Sequence, residues 1–481
     1  MDLAEYAAHD ATGLAALVAR GDVHPAELAR TAAEAIARAD PSLGAVVETY
    51  PDMIDALDAG SLGAGAFRGV PFLIKDAGEH LLGRRTEFGS RLAAGMIAQT
   101  DSHLARLFRE AGLVILGRSN APEYSISGTT ENALYGATST PWRQGHSAGG
   151  STGGGMAAVA AGLVPIAHGS DIAGSNRIPA SFCGGVGLKP SRGRISAGPE
   201  RDEGGFGLAM NFVQTRSVRD AARMLDCLAV PQTGDPFPIP APGAPWAEAP
   251  ARDPGRLRIA LSTAPLMDAP VDPEVAEAVR AVATTLQAMG HEVVEAVPDF
   301  DAKTAARRLG DIWFFGFDLL LDGFAARTGR TVGPDTLEPV TLRIYEHAKR
   351  LGAAEFFAAH AYLNIARRRV AAIFDAADLW LTPTTAQVAF PHGLYHQGMD
   401  GIGVADWIVH SDGPLQFTFP HNLMGTPAIS LPLAMHSSGL PIGVQIGARP
   451  AREDLLLSVA ARLEEALPWA DRIPPLHVSR F

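Results

Sequence analysis

A serine attacks a carbonyl only where a base can take its proton, and three stretches of this chain put serines or a lysine in settings of that kind. The first is GHSAGGSTGGG, residues 145–155, with Ser147 inside a G-x-S-x-G pattern and Ser151 four positions later. The second is DIAGSNRIP, residues 171–179, which holds Ser175. The third is GVPFLIK, residues 69–75, an apolar run that delivers Lys75. A lysine is an ammonium ion in water and becomes a base only when desolvation destabilises that charge, which an apolar strand end can do.

G-x-S-x-G carries meaning when the serine sits on a sharp turn between a buried strand and a helix. Upstream of Gly145 the chain reads GATSTPWRQ, polar and broken by Pro141, and no HGGG-type stretch precedes it. Ser147 is therefore expected to be a loop residue. HExxH, CxxC and GxxxxGK[ST] are all absent, and His392 and His396 stand four apart in a loop bearing proline and glycine. Neither a metal nor a cofactor is expected. Glycines in the two serine-bearing loops would let backbone N–H groups converge on an oxygen, but each loop taken alone fits a tight turn capped by hydroxyls better.

The elements that must position these residues read as an α/β chain. Residues 11–19 and 24–39 have helical spacing, with Gly21 and Asp40-Pro41 as stops. Residues 69–74 suit a buried strand in which Pro71 occupies a place where a missing N–H is tolerated. Leu104, Leu107, Phe108 and Ala111 share a helix face that leads through Gly112 into the strand 113–116. A second unit runs from strand 256–262 through Asp272 as N-cap and Pro273 into a helix carrying Val275, Val279, Val282, Leu286 and Met289, and returns as strand 292–297. Alternation of this kind implies a central mixed, twisted β-sheet covered by helices on both faces. The 481 residues are assigned to one domain: a helical segment at 1–60, a core at 61–230, a Pro/Gly-rich surface connection at 231–255, and a variable helical region at 296–375.

Composition excludes several classes of function. Forty basic against 52 acidic side chains give a net charge of −12, which disfavours nucleic acid and anionic membrane as partners. The N-terminus lacks the positive charge of a secretory leader, and no apolar run reaches the roughly 18 residues of a membrane span, so a cytoplasmic location is expected. Cys183 and Cys227 form no disulfide framework and are expected to be reduced and buried.

Together the three stretches resemble the amidase signature family. The match joins GVPFLIKD (69–76), GGSTGGG (149–155) and DIAGSNRIPASFCGGVGLKPSRGRIS (171–196), and extends to NAPE (120–123), LTPT (381–384), FTFPHN (417–422), GTPA (425–428) and GLPIG (439–443). It implies a Ser-Ser-Lys triad: Ser175 as nucleophile, Ser151 as bridging serine after a cis peptide bond from Gly150, and Lys75 as base. It also implies an oxyanion hole from the backbone N–H groups of Ile172, Ala173, Gly174 and Ser175. Ala173 replaces a glycine common in the family, Asn176 replaces an apolar residue after the nucleophile, and Thr152 stands where a serine is frequent.

The resemblance is nearest to the branch containing the 6-aminohexanoate cyclic dimer hydrolases, which implies a small linear or cyclic aliphatic amide as substrate. Carbamate- and aryl-acylamide-cleaving members are similar too, and the glutaminase subunit of a tRNA-dependent amidotransferase shares the same core. Homodimers are common among such proteins. For pocket residues, Trp313 stands out in DIWFFGF, where four aromatics in five residues must bury against something. Ser125, Ile126, Gly150 and Asn176 are the other substrate-binding candidates.

Overall fold

The computed structural model describes residues 1–55, 57, 62, 64–201, 203–237, 239–395 and 401–481. His396 lies outside them. Eleven strands form one sheet: β1 (Val46–Thr49), β2 (Pro71–Lys75), β3 (Val114–Ser119), β4 (Ile166–Asp171), β5 (Val186–Lys189), β6 (Met210–Thr215), β7 (Arg258–Leu261), β8 (Glu292–Glu295), β9 (Leu379–Pro383), β10 (Ala428–Met435) and β11 (Pro441–Ala448). Their spatial order is β1-β3-β2-β4-β6-β5-β10-β11-β9-β7-β8. β2 runs parallel to β3 and β4, β7 parallel to β8 and β9, and the strands between pair antiparallel. Such a mixed sheet, buried by helices on both faces, is the architecture that alternating strands and helices imply.

Both strand-helix units form as the spacing predicts. Pro71 opens β2, where no ladder bond is lost, and all five residues of that strand are buried. The side chain of Asp272 accepts from Glu274 N–H and Pro273 opens the Pro273–Ala288 helix, whose Val275, Val279, Val282 and Leu286 are buried. Two expectations fail in instructive ways. The Pro25–Leu43 helix passes through Asp40-Pro41 and stops at Gly44, in left-handed conformation at φ 67°. Proline in a last turn forfeits a single hydrogen bond, and Asp40 Oδ1 compensates by accepting from the N–H groups of Ala45 and Val46. Cys227 is half-buried rather than buried, although both cysteines are free.

The Pro/Gly-rich segment does not divide the molecule, because β6 before it and β7 after it belong to one sheet. Nor is it only a surface connection. Trp246 is buried in the main core beneath the guanidinium of Arg194, and its backbone N–H donates to Asp226 Oδ1 at 2.9 Å. The region 296–375 is helical, built from Ala302–Phe314, Phe317–Thr328, Pro339–Ala348 and Ala353–Ala371. These helices enclose a second hydrophobic cluster, on whose fringe Ile172, Ala173 and Trp313 are half-buried.

Candidate active site

Parallel pairing places the site. Phe72 faces Ile166 and Leu73 faces Ala167, so β2 and β4 end at the same edge of the sheet. Lys75 ends one strand and Ser170-Asp171 the other. Lys75 Nζ donates to Ser151 Oγ at 2.7 Å and to Ser170 Oγ at 2.9 Å. With 1% of its surface exposed, Lys75 is held at about 7 by burial, which the more distant charge of Asp171 only partly opposes. The apolar run that delivers it thus produces a lysine that is substantially neutral near neutral pH.

Ser151 stands two residues before the Gly153–Ala160 helix, and the Gly150-Ser151 peptide bond is cis. Gly150 admits no side chain: a Cβ there would lie 2.7 Å from both the Ser127 carbonyl oxygen and the Thr129 nitrogen. Thr152 N–H donates to the Ser175 carbonyl at 3.3 Å, which ties the two serine-bearing loops together. The Thr152 hydroxyl keeps its hydrogen bonds, donating to Ser170 O at 3.2 Å and accepting from Ser170 N–H at 3.3 Å. Ser175 Oγ makes no hydrogen bond among the described residues.

The loop leading into Ser175 is held open by its neighbours. Gly174 has φ 139°, and a Cβ there would lie 2.4 Å from Thr418 Oγ1, so conformation and space both require glycine. Thr418 Oγ1 donates to the Ala173 carbonyl at 2.5 Å. Among the described residues, the backbone N–H groups of Ile172, Ala173, Gly174 and Ser175 are not spent on any hydrogen bond, which leaves four donors at the head of the Arg177–Cys183 helix. Beneath them Arg177 makes two bonds to Asp171, at 2.9 and 2.8 Å, and reaches Thr418 O, Gln445 Oε1 and Asn422 Oδ1 at 2.6–2.8 Å. Burial alone would push the Asp171 carboxyl up, but Arg177 outweighs it and holds the group at about 2.

The remaining sequence candidates fall on different sides of this site. Ser125 has φ 61° and a buried hydroxyl without a partner among the described residues. Ile126 packs in the helical cluster that Trp313, Ile172 and Ala173 border, and Trp313 stacks on Phe314 at 5.2 Å. Asn176 is turned away: fully buried, it donates to Leu188 O at 3.2 Å, inside the fold. A side chain there is enclosed by Gly169 and β5, which leaves it no surface to offer a ligand. Ser147 closes a short exposed strand, Arg143–Ser147, and its buried Oγ accepts from Gly149 N–H at 3.0 Å. Ser170 escaped the sequence reading; its place at the end of a strand parallel to β2 was the available signal.

A buried lysine on a serine hydroxyl, beside a loop of unspent N–H groups in a mixed eleven-stranded sheet, defines a hydrolase of the amidase class. The chain matches the Amidase family over residues 27–457 and belongs to it. It is 39% identical over 485 residues to the 6-aminohexanoate-cyclic-dimer hydrolase of Paenarthrobacter ureafaciens, which covers 97% of this chain and 96% of that one. It is 35% identical over 479 residues to an acylamidase of Rhodococcus erythropolis, covering 96% of each. Among solved structures, 6-aminohexanoate cyclic dimer hydrolase complexed with substrate aligns at a TM-score of 0.92 and 37% identity, over 98% of this chain and 99% of that one. The protein is an amide C–N hydrolase. No helix among the described residues is long and apolar enough to cross a membrane.

Proposed function

We propose that this enzyme hydrolyses small aliphatic carboxamides, linear or cyclic, through an acyl-enzyme on Ser175. The observation that carries this reading is the 2.7 Å contact between a buried, charge-depleted Lys75 and Ser151 Oγ. Neutral Lys75 takes the Ser151 proton while Ser151 takes that of Ser175, whose Oγ attacks the amide carbonyl carbon. The N–H groups of Ile172, Ala173, Gly174 and Ser175 receive the oxyanion. Reversal of the relay protonates the leaving nitrogen as the C–N bond breaks, and water then releases the acid by the same path. Catalytic hydrogen bonds tighten on substrate binding, so an unengaged Ser175 hydroxyl in the free enzyme fits this role.

The likeness to a cyclic dimer hydrolase supports 6-aminohexanoate-type amides, and the half-buried Trp313 and Ile172, which border one cluster, would supply an apolar wall suited to such chains. A serine-reactive fluorophosphonate should label Ser175 and fail on Ser175→Ala; a label mapped to Ser147 overturns the reading. Turnover of 6-aminohexanoate cyclic dimer well above that of an anilide, a carbamate or glutamine is the expected substrate result. Glutamine as the preferred substrate would assign the chain instead to amidotransferase chemistry.

A further inference from the structure

A groove of about 1150 Å³ is lined by none of the three triad residues. Its polar lining gathers side chains far apart in sequence: His80, Thr86, Arg201 and Arg327. Two of these carry orphaned polar atoms: Thr86 is 6% exposed, and its hydroxyl and His80 Nδ1 are buried without a hydrogen-bond partner among the described residues. A buried polar group left unpaired is costly, and such an atom lining a groove points to a ligand that would satisfy it.

The charge there runs against that of the chain. Arg201 and Arg327 are exposed and make no hydrogen bond or ion pair among the described residues, while a third guanidinium, Arg330, is committed to the carbonyls of Leu92 and Ala94 at 3.2 and 2.6 Å. Among the described residues two carboxylates oppose them: Glu200, which faces His80 Nε2 at 3.7 Å, accepts from Thr100 Oγ1 at 2.6 Å and feels the charge of both Arg201 and Arg327, and the buried Glu79, which feels that of Arg201. Burial first, then the charge of Arg201, holds His80 below the usual histidine range, so its ring is neutral near pH 7 and offers one N–H. Beside these donors the wall is apolar. Phe88 and Phe324 pack at 5.1 Å between ring centroids, and Leu319 and Leu320 remain 71% and 46% exposed.

We propose that this groove is a second ligand site, outside the catalytic pocket, for an aliphatic monocarboxylate. The carboxylate would sit between the two guanidiniums and accept from the Thr86 hydroxyl, with its chain laid on Leu319, Leu320 and the phenylalanine pair. Acids of this kind are what amide hydrolysis releases, yet the site stands on its own lining and does not depend on the acyl-enzyme reading.

Titration calorimetry with hexanoate, acetate and hexylamine tests it on the full chain. Hexanoate should bind several-fold more tightly than acetate, and hexylamine should not bind. The Arg201→Gln/Arg327→Gln variant, altered only at exposed side chains, should weaken hexanoate at least tenfold, and Thr86→Val several-fold. Unchanged affinity in the double variant overturns the proposal. So does loss of hexanoate binding when Ser175 is capped with a fluorophosphonate, because that would put the acid in the catalytic pocket.

Discussion

Lys75 Nζ lies 2.7 Å from Ser151 Oγ, and among the described residues no carboxylate comes within ion-pair distance of it. A lysine so placed is poised by burial rather than by a partner charge. Because the base must be neutral to act, the protonated form is inactive, and activity is lost as pH falls through the lysine's pKa. With burial holding Lys75 at about 7, kcat/KM should climb tenfold per pH unit below that value and level off above it. A profile flat from pH 5 to 9 would remove Lys75 from the relay.

The same burial has a cost in stability, of determinable sign. In the unfolded chain Lys75 titrates near the usual lysine value of 10.5, while in the fold it titrates at about 7. Between those values the unfolded state binds the extra proton, so stability rises with pH across that window. Lys75→Met removes this dependence. At pH 7 the variant should be inactive yet more stable, by about 1–4 kcal/mol, with the gain shrinking toward pH 10. Urea melts at both pH values check it, and a variant less stable at pH 7 would contradict the assignment.

Ser147→Ala offers a contrast with the two serines of the proposed relay. Its hydroxyl satisfies one backbone N–H, that of Gly149, in a short hairpin. Loss of that acceptor should cost about 1 kcal/mol of stability and leave kcat within about twofold of the parent. Ser151→Ala, by comparison, should lose at least about a hundredfold in kcat, as the removal of general acid-base chemistry requires. Comparable losses in both variants would mean that Ser147 takes part in the reaction.

Asp171 links stability to the reaction. It lies in a buried pair with Arg177 and raises the Lys75 pKa through its charge. Asp171→Asn leaves Arg177 buried and uncompensated, which should cost about 3–5 kcal/mol. Where the variant still folds, Lys75 loses the one charge that favours its ammonium form. Its pKa then falls, and the acid limb of the pH–rate profile should shift to lower pH. A shift to higher pH would contradict this electrostatic linkage.

How legible these features were in the chain follows from how local each one is. β2, its Pro71 and its terminal Lys75 could be read because a short apolar run with one breaker specifies itself. The serine loops were legible through glycine density and through their likeness to a family, and the G-x-S-x-G of Ser147 could be set aside because the stretch before it is too polar for a buried strand. Pro41 and Trp246 were misjudged because their surroundings come from elsewhere: Asp40 completes the helix end, and Arg194 and Asp226 anchor the linker. Asn176 is polar and adjacent to Ser175, yet nothing in sequence tells that its side chain turns inward. The groove of His80, Thr86, Arg201 and Arg327 was illegible for the same reason, as its members converge only once the Phe317–Thr328 helix packs over the loop after β2.

Selectivity should reside where the oxyanion loop meets the helical region. Trp313 is half-buried and stacked on the buried Phe314, on the fringe of a cluster that Ile172 and Ala173 also border. Truncating a side chain of that kind removes apolar surface beside Ile172 and Ala173 while the packed core beneath, Phe314 and Phe317, is retained. Trp313→Ala should therefore lower kcat/KM about tenfold or more for six-carbon acyl groups and little for acetyl, with a stability loss near 1 kcal/mol. Ala173→Gly should widen the same side and relax discrimination against bulkier acyl groups, because its methyl group borders the N–H groups proposed to receive the oxyanion. Measuring kcat/KM for acetyl, butyryl and hexanoyl amides distinguishes the outcomes. Equal losses across the series would mean that Trp313 supports the fold and does not touch the acyl chain.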